Sequence, residues 1–140
     1  MRLALLFLAC TTLTACVATP LPAVNPQMAW VDFATPSPGG KVLMADRLDN
    51  QRLPDGRYFQ VTPGRHELTV RFDFEVMGGG MLMTTEPRER LCYMTVPYEH
   101  FEAGQRYRLE ARSLAFTPSA RLLNARGEIV ATERAIHCVP

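Results

Sequence analysis

His66-Glu67-Leu68-Thr69-Val70-Arg71-Phe72-Asp73-Phe74-Glu75-Val76 alternates strictly between apolar and polar side chains. Leu68, Val70, Phe72, Phe74 and Val76 fall on one face, and Glu67, Thr69, Arg71, Asp73 and Glu75 on the other. Successive side chains of a β-strand point to opposite sides, so this period of two marks a long strand with one buried and one wet face.

Working outward, residues 91–98 form a second long strand, with Cys92, Met94 and Val96 on one face and Leu91, Tyr93 and Thr95 on the other. Apolar character on both faces places it centrally in a sheet. Shorter strands are expected at 28–33, 41–45, 58–61 and 107–111, separated by turn-rich segments such as Thr35 to Gly40, Pro54-Asp55-Gly56 and Pro63-Gly64. Residues 120–124 and 128–132 flank Ala125-Arg126-Gly127, a three-residue hairpin loop with glycine placed for a left-handed conformation. No segment carries a sustained helical period with caps. The pattern predicts an all-β chain, an antiparallel β-sandwich of about seven or eight strands.

Val61-Thr62-Pro63-Gly64-Arg65-His66-Glu67-Leu68-Thr69-Val70 resembles the turn-and-strand repeat of PEGA-type and transthyretin-like envelope modules, in which a Pro-Gly turn delivers a residue into an alternating strand. Residues 101–109 repeat the arrangement with Ala103-Gly104 as the turn. The resemblance implies a β-sandwich of the bacterial envelope and transfers no catalytic residue.

The N-terminus carries a second resemblance. Met1-Arg2 supplies a charged start, Leu3 to Leu8 an apolar run, and Leu13-Thr14-Ala15-Cys16 small residues approaching a cysteine. The run falls short of the about 20 apolar residues that span a bilayer. It resembles the lipobox of bacterial lipoproteins, whose signal is cut before the cysteine and whose cysteine then bears acyl chains such as palmitate. An ordinary signal peptide with an incidental cysteine is the alternative. The lipobox reading makes residues 1–15 the signal, Cys16 the lipidation site, 16–27 a tether and 28–140 the folded domain. Pro20, Pro22 and Pro26 exclude helix from the tether. Fully stretched, it would reach roughly 34 Å. An Asp after the lipidated cysteine retains lipoproteins at the inner membrane in enteric bacteria. Val17 stands there, so the resemblance implies the outer membrane, on its periplasmic face.

Cys10 lies in the signal, which leaves Cys92 and Cys138 as an even pair. In an exported protein such a pair is a disulfide by default. It would close a loop of about 47 residues, for which chain entropy gives roughly 4 kcal/mol. A metal site or redox pair is the alternative, although neither cysteine has CxxC spacing. Of 15 basic residues Arg2 alone lies in the signal, leaving 14 against 14 acidic residues. That balance gives no electrostatic footprint for nucleic acid.

The chain holds no HExxH pattern, GxSxG elbow or Walker-type glycine loop. His66 reads as a half-exposed residue bonding a backbone carbonyl, and His137 stands beside Cys138. His100 carries no pattern. Glu67, Asp73 and Glu75 share a face, where two carboxylates could serve glycoside hydrolysis. Their alternation with Arg71 and Thr69 reads as a solvated strand surface instead.

One segment is out of character: Met77-Gly78-Gly79-Gly80-Met81-Leu82-Met83 is a glycine loop with apolar flanks. Three readings stay open. Its methionines fold back onto the core; or Met77, Met81, Leu82 and Met83 contact a partner or lipid, as Met-rich surfaces do; or Met77, Met81 and Met83 bind Cu(I) through soft thioethers. No metal or cofactor is expected. The residues point to a lipid-anchored, non-enzymatic envelope binding or scaffold protein with an envelope protein partner. The alternative is an inhibitor or immunity-type lipoprotein that blocks a hydrolase or toxin.

Overall fold

A computed structural model describes residues 16–37, 39–77 and 86–140. Ten strands occur among them: β1 (Ala29–Ala34), β2 (Gly40–Leu48), β3 (Gln51–Arg52), β4 (Phe59–Val61), β5 (Gly64–Val76), β6 (Arg88–Phe101), β7 (Arg106–Leu114), β8 (Thr117–Leu123), β9 (Ile129–Thr132) and β10 (Ala135–Cys138). They form two five-stranded sheets, ordered β4-β1-β7-β8-β9 and β10-β6-β5-β2-β3. The sheets pack as a β-sandwich, with no helix among the described residues.

The alternation of β5 is realised in full. Leu68, Val70, Phe72 and Phe74 are completely buried and join Met94 and Val96 of β6, Phe59 and Val61 of β4, and Leu109 and Leu122 of the opposite sheet in one core. Phe72 and Phe74 stack with ring centroids 5.0 Å apart. β6 lies between β5 and β10, and Leu91 and Tyr93 on its outer face are half-buried. At Pro63-Gly64 the glycine takes φ 109°, and Gly127 in the β8–β9 loop takes φ 78°, both left-handed values suited to glycine. In that loop the Asn124 side-chain oxygen accepts from the Arg126 and Glu128 amides, 3.0 Å each.

Two features correct the sequence reading. The described residues hold ten strands rather than seven or eight, because β3 and β10 carry no sequence signal. Both are short and largely exposed, so neither carries a hydrophobic period; each exists through pairing, β3 with β2 and β10 with β6. The sandwich is also not wholly antiparallel, since β1 pairs parallel with β7 from Trp30↔Arg106 to Ala34↔Glu110. Parallel neighbours need a long crossover. The chain supplies one by building most of the second sheet between them.

The Pro-rich leader does not leave the domain directly. The Asn25 amide donates to Gln60 Oε1 (2.9 Å), and Arg57 Nη1 donates to the Thr19 carbonyl (2.6 Å). Residues 19–25 therefore run back beside β4, the edge strand of its sheet.

Candidate functional site

Three connections meet at one end of the sandwich: the β1–β2 loop, the β5–β6 hairpin and the β7–β8 turn. The Glu75 amide donates to the Gly39 carbonyl (2.9 Å), joining the first two. The Arg90 guanidinium lies 5.8 Å from the Phe116 ring, joining the second and third. The Arg90 Nε is buried and has no hydrogen-bond partner among the described residues.

Large apolar side chains meet solvent at this end, among charged ones. Met77 is 72% exposed, Leu114 84% and Phe116 50%, values that leave all three outside the core. Met81, Leu82 and Met83 lie outside the described residues. Sequence reasoning missed Leu114 and Phe116. The available signal was phase: Leu114 continues the outer face of β7 that carries Arg108, Glu110 and Arg112, and Ala115 turns with φ 52°. Below this end a groove of about 390 Å³ opens on the outer face of the second sheet, lined by Lys41, Val42, Asp73, Leu91 and Val139. Lys41 Nζ bridges Glu75 and Glu89, 2.6 Å each. The bond to Glu75, then that to Glu89, pushes its pKa up to about 12.

Cys92 and Cys138 are disulfide-bonded and stand directly opposite each other in the β6–β10 pairing. Cys16 is exposed and takes no part in the disulfide.

The groups weighed for catalysis are each engaged otherwise. On β5, Glu67 pairs with Arg134 (2.9 Å), Asp73 with Arg71 (2.9 Å) and Glu75 with Lys41. His66 does bond a backbone carbonyl, with Nε2 2.8 Å from the Thr62 oxygen, while Nδ1 lies 2.6 Å from Asp49 Oδ2. An Asp-His-Thr series superficially matches a hydrolase relay, since Thr62 Oγ1 is 3.0 Å from Nε2. The Thr62 carbonyl already takes that nitrogen, so the ring clips two turns together. Among the described residues no three His, Cys, Asp or Glu side chains are grouped to hold a metal ion.

Asp49 and Asn50 form the two-residue turn between β2 and β3, both with positive φ (49° and 65°). Partial burial of Asp49 opposes ionisation, but the Glu67 amide, the bond and charge of His66 and the Arg65 charge together hold its pKa below the ordinary value. A depressed carboxylate pKa contributes stability that is present above the unfolded value and lost as pH falls through the folded one. Asp49→Asn keeps a residue suited to positive φ. It should cost about 1 kcal/mol at neutral pH, a low figure for a charge-assisted bond because the carboxylate is half exposed. Urea unfolding of both proteins should show that gap closing below about pH 4; a gap independent of pH would refute the clip.

A second charged cluster lies on the other sheet. The buried Glu110 carboxylate meets Arg108 (3.2 Å), Arg121 (3.3 Å) and Arg112 (3.5 Å). The Arg121 Nε is near enough to be an ion pair yet is not aligned for a hydrogen bond. The cluster neutralises a buried charge and ties β7 to β8.

No protein-family model, curated protein or solved structure matches this chain.

Proposed function

We propose that the chain is a lipid-anchored, non-enzymatic binding or scaffold module of the bacterial envelope, carried on Cys16 at the periplasmic face of the outer membrane. The observation that carries the reading is the apolar end of the sandwich, where Met77, Leu114 and Phe116 stand in solvent. Each large apolar side chain left exposed forgoes about 1.5–3 kcal/mol of burial. Several gathered at one end mark a contact surface, for a partner or for the membrane, rather than chance exposure. The lipobox at residues 13–16 and the disulfide, at home in an oxidising compartment, support the location.

Affinity capture from envelope extract tests the scaffold role. Recovery of an endogenous envelope assembly supports it; recovery of an exogenous hydrolase or toxin favours an inhibitor, and recovery of nothing counts against both. Serine at Met77, Met81, Leu82 and Met83 tests the contact loop. Loss of association with little change in melting temperature is the expected result. A large fall in melting temperature would show those residues to be core, and the contact role would be dropped.

A further inference from the structure

The leader and the apolar end point in the same direction. β4 runs antiparallel to β1, with Phe59 opposite Val31 and Val61 opposite Ala29. Moving from Gln60 back to Arg57 therefore means moving toward Ala34, the end of β1 nearest the β5–β6 hairpin. The leader does the same, because Asn25 is held at Gln60 and Thr19 at Arg57. Cys16 stands three positions before Thr19, an extended reach of about 10 Å. The anchor is thus carried along the edge of the sandwich toward its apolar end.

The two ends differ in chemistry. At the far end the turns after β6 and β8 carry Glu102, Gln105, Asn124, Arg126 and Glu128 around a polar depression, where Ile129 is a single exposed apolar side chain. At the near end Leu114 is 84% exposed, Met77 72% and Phe116 50%. They stand at the ends of β7 and β5 and in the β7–β8 turn, among Arg88, Arg90 and the exposed Glu86 and Glu89, with Lys41 paired to Glu75 and Glu89. Apolar tips ringed by balanced charges suit the boundary between acyl chains and headgroups, where long side chains such as Arg88 lay their methylenes on apolar surface and keep the charge in water. A protein interface asks instead for a broad patch of about 800 Å² per partner.

We infer that Leu114, Phe116 and Met77 seat this end of the sandwich on the lipid bilayer, with the leader strapped by Arg57 and Gln60 setting the orientation. The inference rests on the reading of Cys16 as acylated. A bilayer at that end fixes which surfaces remain open: the far-end turns and the outer faces of both sheets.

The test uses the full chain matured in a bacterial host and placed in phosphatidylethanolamine–phosphatidylglycerol vesicles that contain a photoactivatable phospholipid. Lipid adducts, mapped by peptide mass spectrometry, should fall on Leu114, Phe116 and Met77 about tenfold more often than on residues 102–105 and 124–127. Even labelling of both ends, or labelling of the far end, overturns the seating. So does a protein that covers Leu114 and Phe116 in cross-linked envelopes. If Cys16 proves unacylated, the anchor reading fails by itself, and vesicle co-sedimentation of the same protein decides the seating. Binding that Leu114→Ser with Phe116→Ser weakens about tenfold at unchanged melting temperature upholds it; no binding ends it.

Discussion

Breaking the Cys92–Cys138 bond should cost about 2–5 kcal/mol, the range for native disulfides of small secreted domains. The bond closes a loop with a sequence separation of 46 and joins a buried residue of β6 to the outermost strand of its sheet. β10 has four residues, three of them exposed, and pairs on one side only. It buries too little to hold itself in place. Cys138→Ser is the cleaner variant, because Cys92→Ala also removes a side chain from the core. Its melting temperature, like that of reduced wild type, should fall by about 10 °C or more, with amides at residues 135–138 losing protection first. Coincident melts of oxidised and reduced protein would show that the bond staples nothing.

Phe72→Ala should cost about 3–5 kcal/mol, the typical price of emptying a buried aromatic site. Phe72 is fully buried at the centre of β5, stacked on Phe74 and opposite Cys92 in the strand register. The informative control is its neighbour. Arg71 lies on the wet face with its side chain 44% exposed and paired to Asp73, so Arg71→Ala should cost no more than about 1 kcal/mol. Adjacent residues of one strand would then differ severalfold under urea. Comparable costs would mean that the faces of β5 are wrongly assigned.

The same alternation made the sandwich legible from the sequence. Period two assigns each side chain to a face, and β5 and the middle of β6 obey it, whereas a bulge at Leu122–Leu123 breaks it in the β8–β9 hairpin. What it does not encode is which strands become neighbours. Hence the parallel β1–β7 pairing went unforeseen, as did β3 and β10, whose existence depends on partners remote in sequence. The candidate site divides in the same way. Met77 and the cysteine pair stood out by composition, whereas Leu114 and Phe116 gained meaning only once the β7–β8 turn was brought beside the β5–β6 hairpin. The clip of His66 to Asp49 and the backward run of the leader also join distant residues. Asp49-Asn50 did offer a local sign, since such pairs favour the two-residue hairpin turns that need positive φ.

Anchoring at Cys16 is the premise of the functional account, and two acyl signals hold a protein at a bilayer far more firmly than one. The direct measurement is the mass of the N-terminal peptide of the protein recovered from membranes. The account predicts a chain that begins at Cys16 and carries acyl chains there, together with an unprocessed, lipid-free precursor for Cys16→Ala. A mature chain that begins elsewhere with Cys16 unmodified, or normal processing and acylation of the Cys16→Ala variant, would contradict it.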